Sequence, residues 1–431
     1  MKAFIAAGAS LVLAVNSLSD KAASGPQFRN LAAQSGIDFV LENSPTERKH
    51  LPETMAGGIA VFDYDGDGWP DIFFANGAAM PSLKKESPRH YNRLYRNAGN
   101  WKFRDVTAEA GLAGEGYSIA AAAGDFDNDG RIDLFVGGVR HNRLYRNLGG
   151  GRFRDVTAAA GIASGLWCEG AIWFDYDNDG RLDLFVVNYL QWTPEFDTYC
   201  GDAERKIRAY CHPRLFEGLP NTLYRNRGDG TFEDVSRKSG IAAHIGKGMS
   251  AAAADYDNDG FLDVYVTNDK TPNFLFHNKG NGTFEEAALV AGGALQDSGM
   301  AASAMGVDFR DYNNDGLPDI AFTALAGETF PLFVNTAKAE FRDAGHLSGM
   351  AKLSQTRSGW AIGLFDFDNN GWKDAFTANS HVNDTVASFE AAQYKLTNSV
   401  FSNIGGKFHD ATAGSGLDRE PPRAHRGAAF A

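Results

Sequence analysis

The sequence predicts an all-β fold, a β-propeller of four-stranded blades, on three observations. A nine-residue acidic segment recurs six times along 431 residues, a second block follows each copy, and strand-length apolar runs lie between them. Repeat architectures exceed the usual single-domain length because each unit packs only on its neighbours.

The acidic segment reads Asp63-Tyr64-Asp65-Gly66-Asp67-Gly68-Trp69-Pro70-Asp71 and returns at Asp125–Asp133, Asp175–Asp183, Asp255–Asp263, Asp311–Asp319 and Asp366–Asp374. The spacings between first aspartates are 62, 50, 80, 56 and 55 residues. The second block reads Leu94-Tyr95-Arg96-Asn97, a glycine turn, then Phe103-Arg104-Asp105-Val106, with later copies starting at Leu144, Leu223, Leu275, Leu332 and Val400.

Each unit thereby supplies four short strands. A small-residue strand precedes the loop, as at Ile59–Phe62, Ala120–Ala123 and Ala251–Ala254. A nearly continuous apolar run follows it (Ile72–Ala75, Leu134–Val136, Leu184–Val187, Val264–Val266), as suits a strand covered on both faces. The remaining two form a hairpin, joined by Gly- and Asp-rich turns such as Asn226–Thr231. The Ala- and Gly-rich strand belongs innermost, where blades converge and space is least.

The blade count turns on the two ends. Phe28-Arg29-Asn30-Leu31 with Gly36-Ile37 matches the outer-strand block, and Arg426-Gly427-Ala428-Ala429-Phe430-Ala431 matches the strand before a loop. Seven blades, the last one truncated, is the expectation; six is the alternative. The 80-residue spacing contains an insertion at about residues 189–220, holding Trp192, Cys200, Cys211 and His212, which should leave from one face.

The acidic segments have the chemistry of a calcium loop. A hard cation takes six to eight oxygens at a flexible distance. Position one is Asp63, Asp125, Asp175, Asp255, Asp311 and Asp366; position three is Asp65, Asp127, Asp177, Asp257, Asn313 and Asp368. Position five is Asp67, Asp129, Asp179, Asp259, Asp315 and Asn370. Glycine at position six permits the tight turn. Position seven can offer its carbonyl, so its side chain varies freely: Trp69, Arg131, Arg181, Phe261, Leu317 and Trp372. Position nine is Asp71, Asp133, Asp183, Asp263, Asp319 and Asp374, able to close the shell. Position two is aromatic in every copy, as expected of a side chain turned away from the metal. An EF-hand is excluded, since it needs a glutamate at position twelve.

One Ca2+ per loop, six in all, would bring about +12 against a net charge of −13, so the acidity is mostly metal-site charge. The same acidity argues against nucleic acid as a partner. Loops five and six, with Asn313 and Asn370, keep three carboxylates each and should release calcium first.

These loops and blocks resemble the FG-GAP and VCBS repeats of integrin α-subunit propellers. The Leu-Tyr-Arg-Asn and Gly-Thr-Phe-Glu-Asp-Val forms are similar to the cartilage acidic protein (ASPIC and UnbV) family over about residues 28–431. The resemblance implies a propeller with metal ligands at the loop positions above. Tyr199-Cys200-Gly201 and Cys211-His212-Pro213 are also similar to that family's insertion.

Residues 1–25 read as a signal peptide and leader, with Lys2 before an apolar run from Ala3 to Val15, and residues 26–431 as the propeller. That implies a secreted, periplasmic or cell-surface protein with no transmembrane segment. Export would allow a Cys200–Cys211 disulfide, the alternative being two reduced thiols; Cys168, beside Trp167, should stay reduced and buried.

Two functions remain open. One is a non-catalytic extracellular binding or adhesion module for a protein or glycan. The other is a propeller enzyme acting on polysaccharide at the channel mouth. A convergent set of charged side chains in the loops away from the metals would favour the enzyme. The candidates are Arg140-His141, Asp269-Lys270 and His381-Asn383-Asp384.

Overall fold

A computed structural model of the chain describes residues 25–55, 57–163, 165–196 and 198–430. The segment expected to be a signal peptide and leader, residues 1–25, lies outside the described residues apart from Gly25. The described chain forms six four-stranded antiparallel sheets, each with its strands in chain order from inner to outer, and in the third the insertion intervenes between the second and third strands. Together they make a β-propeller.

Blade one comprises Ile59–Phe62, Asp71–Phe74, Arg93–Asn97 and Phe103–Asp105. Blade two comprises Ser118–Gly124, Asp133–Gly138, Arg143–Asn147 and Phe153–Asp155. Blade three comprises Cys168–Phe174, Asp183–Asn188, Thr222–Asn226 and Phe232–Asp234. Blade four runs from Gly248–Ala254 to Phe284–Glu286, blade five from Val307–Arg310 to Phe341–Asp343, and blade six from Gly359–Phe365 to Lys407–Asp410. Every residue of Asp133–Gly138, Asp183–Asn188 and Asp263–Asn268 is buried, which is why these second strands read as unbroken apolar runs.

The hydrophobic core is divided among the blade interfaces. Between blades two and three, Phe126, Phe135 and Leu144 pack against Leu184, Val186, Tyr224 and Phe232. The aromatic at loop position two reaches the outer-strand phenylalanine of the next blade. Phe126 meets Phe232 at 5.6 Å between ring centroids, Tyr176 meets Phe284 at 5.9 Å and Tyr312 meets Phe408 at 5.8 Å.

Six complete blades is the smaller of the two predicted counts, yet the ring has a seventh sector. Phe28 stands to Phe367 of blade six as those partners stand to each other, at 5.4 Å. Its N–H donates to the Ser415 carbonyl at 2.7 Å, the contact that Phe232 makes with Ala160 and Phe284 with Ser239, both at 2.8 Å. On the inside, Phe430 packs on Phe365 at 4.8 Å. Seven inner segments therefore surround the axial cavity of about 250 Å3, the seventh being Arg426-Gly427-Ala428. Among the described residues this sector forms no four-stranded sheet; the segment entering it makes an antiparallel bridge between Arg423 and Leu396.

The inner strands are small because they converge. A Cβ on Gly427 would stand 2.1 Å from the Gly57 carbonyl. The cavity's mouth, on the side opposite the acidic loops, is filled by a cluster that includes Met55, Tyr117, Trp167, Trp192, Met249, Met305 and Trp360. Trp192 comes from the insertion, which lies across this face as an excursion from blade three. It contacts the ring of His50 at 5.6 Å and places Arg205 Nη1 2.9 Å from the Ser388 carbonyl. Cys200 and Cys211 are joined as a disulfide within it, and Cys168 is a buried free thiol. No helix among the described residues is long and apolar enough to cross a membrane.

Candidate metal centre

Each acidic loop joins the first and second strands of its blade and is shaped by its own backbone. In loop one the Asp63 carboxylate accepts from the amides of Gly66 (2.8 Å), Asp67 (3.1 Å) and Gly68 (2.8 Å). Positions four and six are both left-handed, as Asn128 (φ 55°) and Gly130 (φ 82°) show in loop two. Asparagine tolerates that region better than other non-glycine residues. It also links the loops. Asn128 Nδ2 donates to the Gly180 carbonyl at 3.0 Å, Asn178 to Gly260 at 2.9 Å and Asn314 to Gly371 at 2.8 Å.

Position nine is the most constrained. Asp71, Asp133, Asp183, Asp263, Asp319 and Asp374 are all fully buried. In loop two, Asp133 Oδ2 accepts from Phe126 N–H (3.2 Å) and Oδ1 from Asn147 N–H (2.7 Å), so it ties the loop to the third strand. Burial pushes its carboxyl up to about 7, and does the same at Asp183, Asp263 and Asp319. From blade two onward, the asparagine of the Leu-Tyr-Arg-Asn block or its equivalent bridges to the preceding blade. Asn147 Nδ2 donates to the Tyr64 carbonyl at 2.8 Å and Asn403 Nδ2 to the Tyr312 carbonyl at 2.9 Å.

The loops fit a hard cation. Positions one, three and nine converge in loops one to three, where one oxygen from each of Asp63, Asp65 and Asp71, and of the corresponding triads, lies within 4.8 Å of the others. In loop four the triad Asp255, Asp257 and Asp259 meets the same limit. The Oδ1 atoms of Asp65, Asp127, Asp177 and Asp257 are buried and have no hydrogen-bond partner. A carboxylate oxygen stripped of water and left unpaired is strongly unfavourable unless something positive sits against it. An all-oxygen donor set of this kind suits calcium better than a transition metal.

Basic side chains reach these loops from the third strand, a feature the sequence reading passed over. Arg96 pairs with Asp65 at 2.5 Å, Arg146 with Asp127 at 2.5 Å and Arg225 with Asp177 at 2.7 Å. His277 occupies the same place in blade four, 3.4 Å from Asp257. The signal was present in the Leu-Tyr-Arg-Asn block, whose third residue is arginine in blades one to three and His277, Val334 and Ser402 in the rest.

The charged loop residues on the opposite face do not converge. Asp269 accepts from Tyr189 Oη at 2.8 Å, Lys270 pairs with Glu328, and Asp384 pairs with Lys49 at 2.6 Å. His381 lies 3.5 Å from Glu390, and burial lowers the pKa of His141 to about 4.

The family profile for the FG-GAP-like repeat matches residues 63–136, 125–186, 217–266 and 255–322. Cartilage acidic protein 1 of Mus musculus is 27% identical over 349 residues, which cover 78% of this chain and 50% of that protein. Cartilage acidic protein 1 of Homo sapiens is 30% identical over 167 residues, 38% of this chain and 24% of that protein. The chain thus spans between about a quarter and a half of these relatives' length. Among solved structures, it is similar to an Agrocybe aegerita lectin described by its recognition of non-reducing terminal N-acetylglucosamine. That likeness has a TM-score of 0.48 at 16% identity and covers 84% of this chain and 83% of the other. The V. cholerae biofilm matrix protein Bap1 aligns with a TM-score of 0.35 at 14% identity, over 66% of this chain and 40% of that one. With the matched repeats spanning more than half of its residues, and each carrying an acidic loop of the kind described, the chain belongs to the FG-GAP-like repeat family.

Proposed function

We propose that this propeller is a calcium-binding, extracellular, non-catalytic binding module. The observation that carries the calcium reading is the buried, unpartnered Oδ1 of Asp65, Asp127, Asp177 and Asp257. The ligands in each loop are the carboxylates or amide oxygen at positions one, three, five and nine and the carbonyl at position seven. Export is supported by the apolar run after Lys2 and by the Cys200–Cys211 disulfide, since such bonds persist in oxidising compartments.

Binding is favoured over catalysis by the face opposite the loops. There Asp269, Lys270, His381 and Asp384 are engaged in separate contacts, and aromatic and methionine side chains fill the channel mouth. The partner is an extracellular protein or glycan, held by loops of that face. The test is thermal melting in millimolar calcium against chelator, followed by a calcium-dependent binding screen on glycan and envelope-protein arrays. With calcium at a hundred times its Kd, one site adds about 2.7 kcal/mol by mass action, so several sites should raise the melting temperature by many degrees. An unchanged melting temperature in apo and calcium-loaded protein would sink the calcium reading.

A further inference from the structure

The residue that follows Leu-Tyr, or its equivalent, in each third strand varies with the acid count of the loop it faces. Loops one, two and three have aspartate at all of positions one, three, five and nine, and face Arg96, Arg146 and Arg225. Loop four, also complete, faces His277. Loops five and six, which have lost one aspartate to Asn313 and Asn370, face Val334 and Ser402. The guanidinium spans two acids in each case. Arg96 lies 2.5 Å from Asp65 and 3.0 Å from Asp67, Arg146 2.5 Å from Asp127 and 3.2 Å from Asp129, and Arg225 2.7 Å from Asp177 and 3.5 Å from Asp179. It takes the outer oxygen of position three and leaves the inner one, Oδ1, unpartnered.

We propose that these arginines are counterweights to the fourth aspartate of loops one to three, lowering the cation affinity of those loops toward that of the three-aspartate ones. The proposal rests on the cation reading above. It replaces the ranking by aspartate number, in which loops five and six release their cations first. Loops one and six show it most simply, since each has tryptophan at position seven and, over positions one, three, five and nine with the third-strand residue, each carries three net negative charges; loop six also has Lys373 at position eight. Loops two and three hold a second cationic group at position seven, Arg131 and Arg181, paired with Asp129 and Asp179. Their aspartates are offset further still.

Physically, the arginine has two opposed effects. Without a cation it relieves repulsion among four carboxylates within a few ångströms of each other. With a cation seated it is a positive charge held against another, and lowers affinity.

The test converts loop one to the pattern of loop six. Terbium emission sensitised by Trp69 (the part lost on Trp69→Phe) reports loop one alone, and calcium displaces it. Arg96→Ser should tighten binding by about tenfold and lower the melting temperature of the apo protein, Asp67→Asn should weaken binding by about tenfold, and the double variant should bind within about threefold of the parent. The reverse pair, Asn370→Asp with Ser402→Arg, should leave loop six within the same margin, read through Trp372, and covers the case in which the loop-one variants misfold.

Weaker binding in Arg96→Ser, or a double variant as weak as Asp67→Asn, overturns the proposal. If the parent shows no Trp69-dependent emission, the cation reading falls instead. Apo melting then decides the charge matching. Recovery in the double variant of the temperature lost by Arg96→Ser supports it, and no recovery overturns it.

Discussion

The hydroxyl of Tyr210 in the insertion donates to the buried carboxylate of Glu53, 3.1 Å away, in the segment leading into the first blade. Glu53 is 1% exposed and also accepts from Thr46 Oγ1 (2.6 Å), Thr46 N–H (3.1 Å) and His50 N–H (3.2 Å). Burial nonetheless pushes its carboxyl above the usual range. Removing one donor from a buried acid costs about 1–3 kcal/mol. Tyr210→Phe should therefore loosen the insertion while leaving the blades intact. Limited proteolysis should cut residues 193–209 faster in the variant; equal rates would show that the contact does not hold the insertion down.

Reduction should act on the same segment. The Cys200–Cys211 bond closes a loop of sequence separation 11, worth on the order of 3 kcal/mol in the chain-entropy account. Every blade strand lies outside that loop, so a reductant should raise hydrogen exchange in the insertion and change little elsewhere. Global loss of protection would contradict this. Non-reduced peptide mapping of exported protein should recover the link, with Cys168 free.

Closure of the ring depends on Phe28. Its ring contacts both Phe367 and Phe376, at 5.4 and 5.7 Å. Phe28→Ala should destabilise the protein by about 2–4 kcal/mol, near the lower end because the side chain is only partly buried. Denaturant unfolding measures it, and a loss under about 0.5 kcal/mol would mean that the seventh sector contributes nothing to stability.

The position-nine aspartates predict an unusual pH response. Their folded carboxyl pKa is raised by burial to about 7 in Asp133, Asp183, Asp263 and Asp319, and to about 6 in Asp71 and Asp374, above an unfolded value of about 3.9. The folded state holds these protons more tightly. Their contribution is complete below about pH 4 and is lost as pH rises through 6 to 7. In chelator the melting temperature should fall between pH 5 and 8. Calcium should flatten that fall, because it supplies the positive charge that protons supply in acid. A calcium-induced shift that is larger at pH 5 than at pH 8 would refute the account.

Repetition decides what could be read from the chain. Six copies expose which loop positions must be acidic, glycine or aromatic, so the strands, the loops and the inward place of the Ala- and Gly-rich strand follow from the sequence. The match of Phe28 to the outer-strand block likewise anticipates its place beside Ser415. Contacts without a second copy stay hidden. Tyr210 with Glu53, and Arg205 with the Ser388 carbonyl, join segments 157 and 183 residues apart with no periodic signal. The role of Arg96 was hidden differently. It lies in a repeated block, but its meaning appears only when the exceptions, Val334 and Ser402, are set beside Asn313 and Asn370.

The disc has two sides held by different chemistry. On one, asparagines pass hydrogen bonds between loops whose aspartates are proposed to hold a dication; on the other, a sulfur bridge stiffens the insertion that spans the axis. Withdrawing calcium and adding a reductant are thus independent insults. The protein should register the ionic and the redox state of its surroundings separately, one on each side.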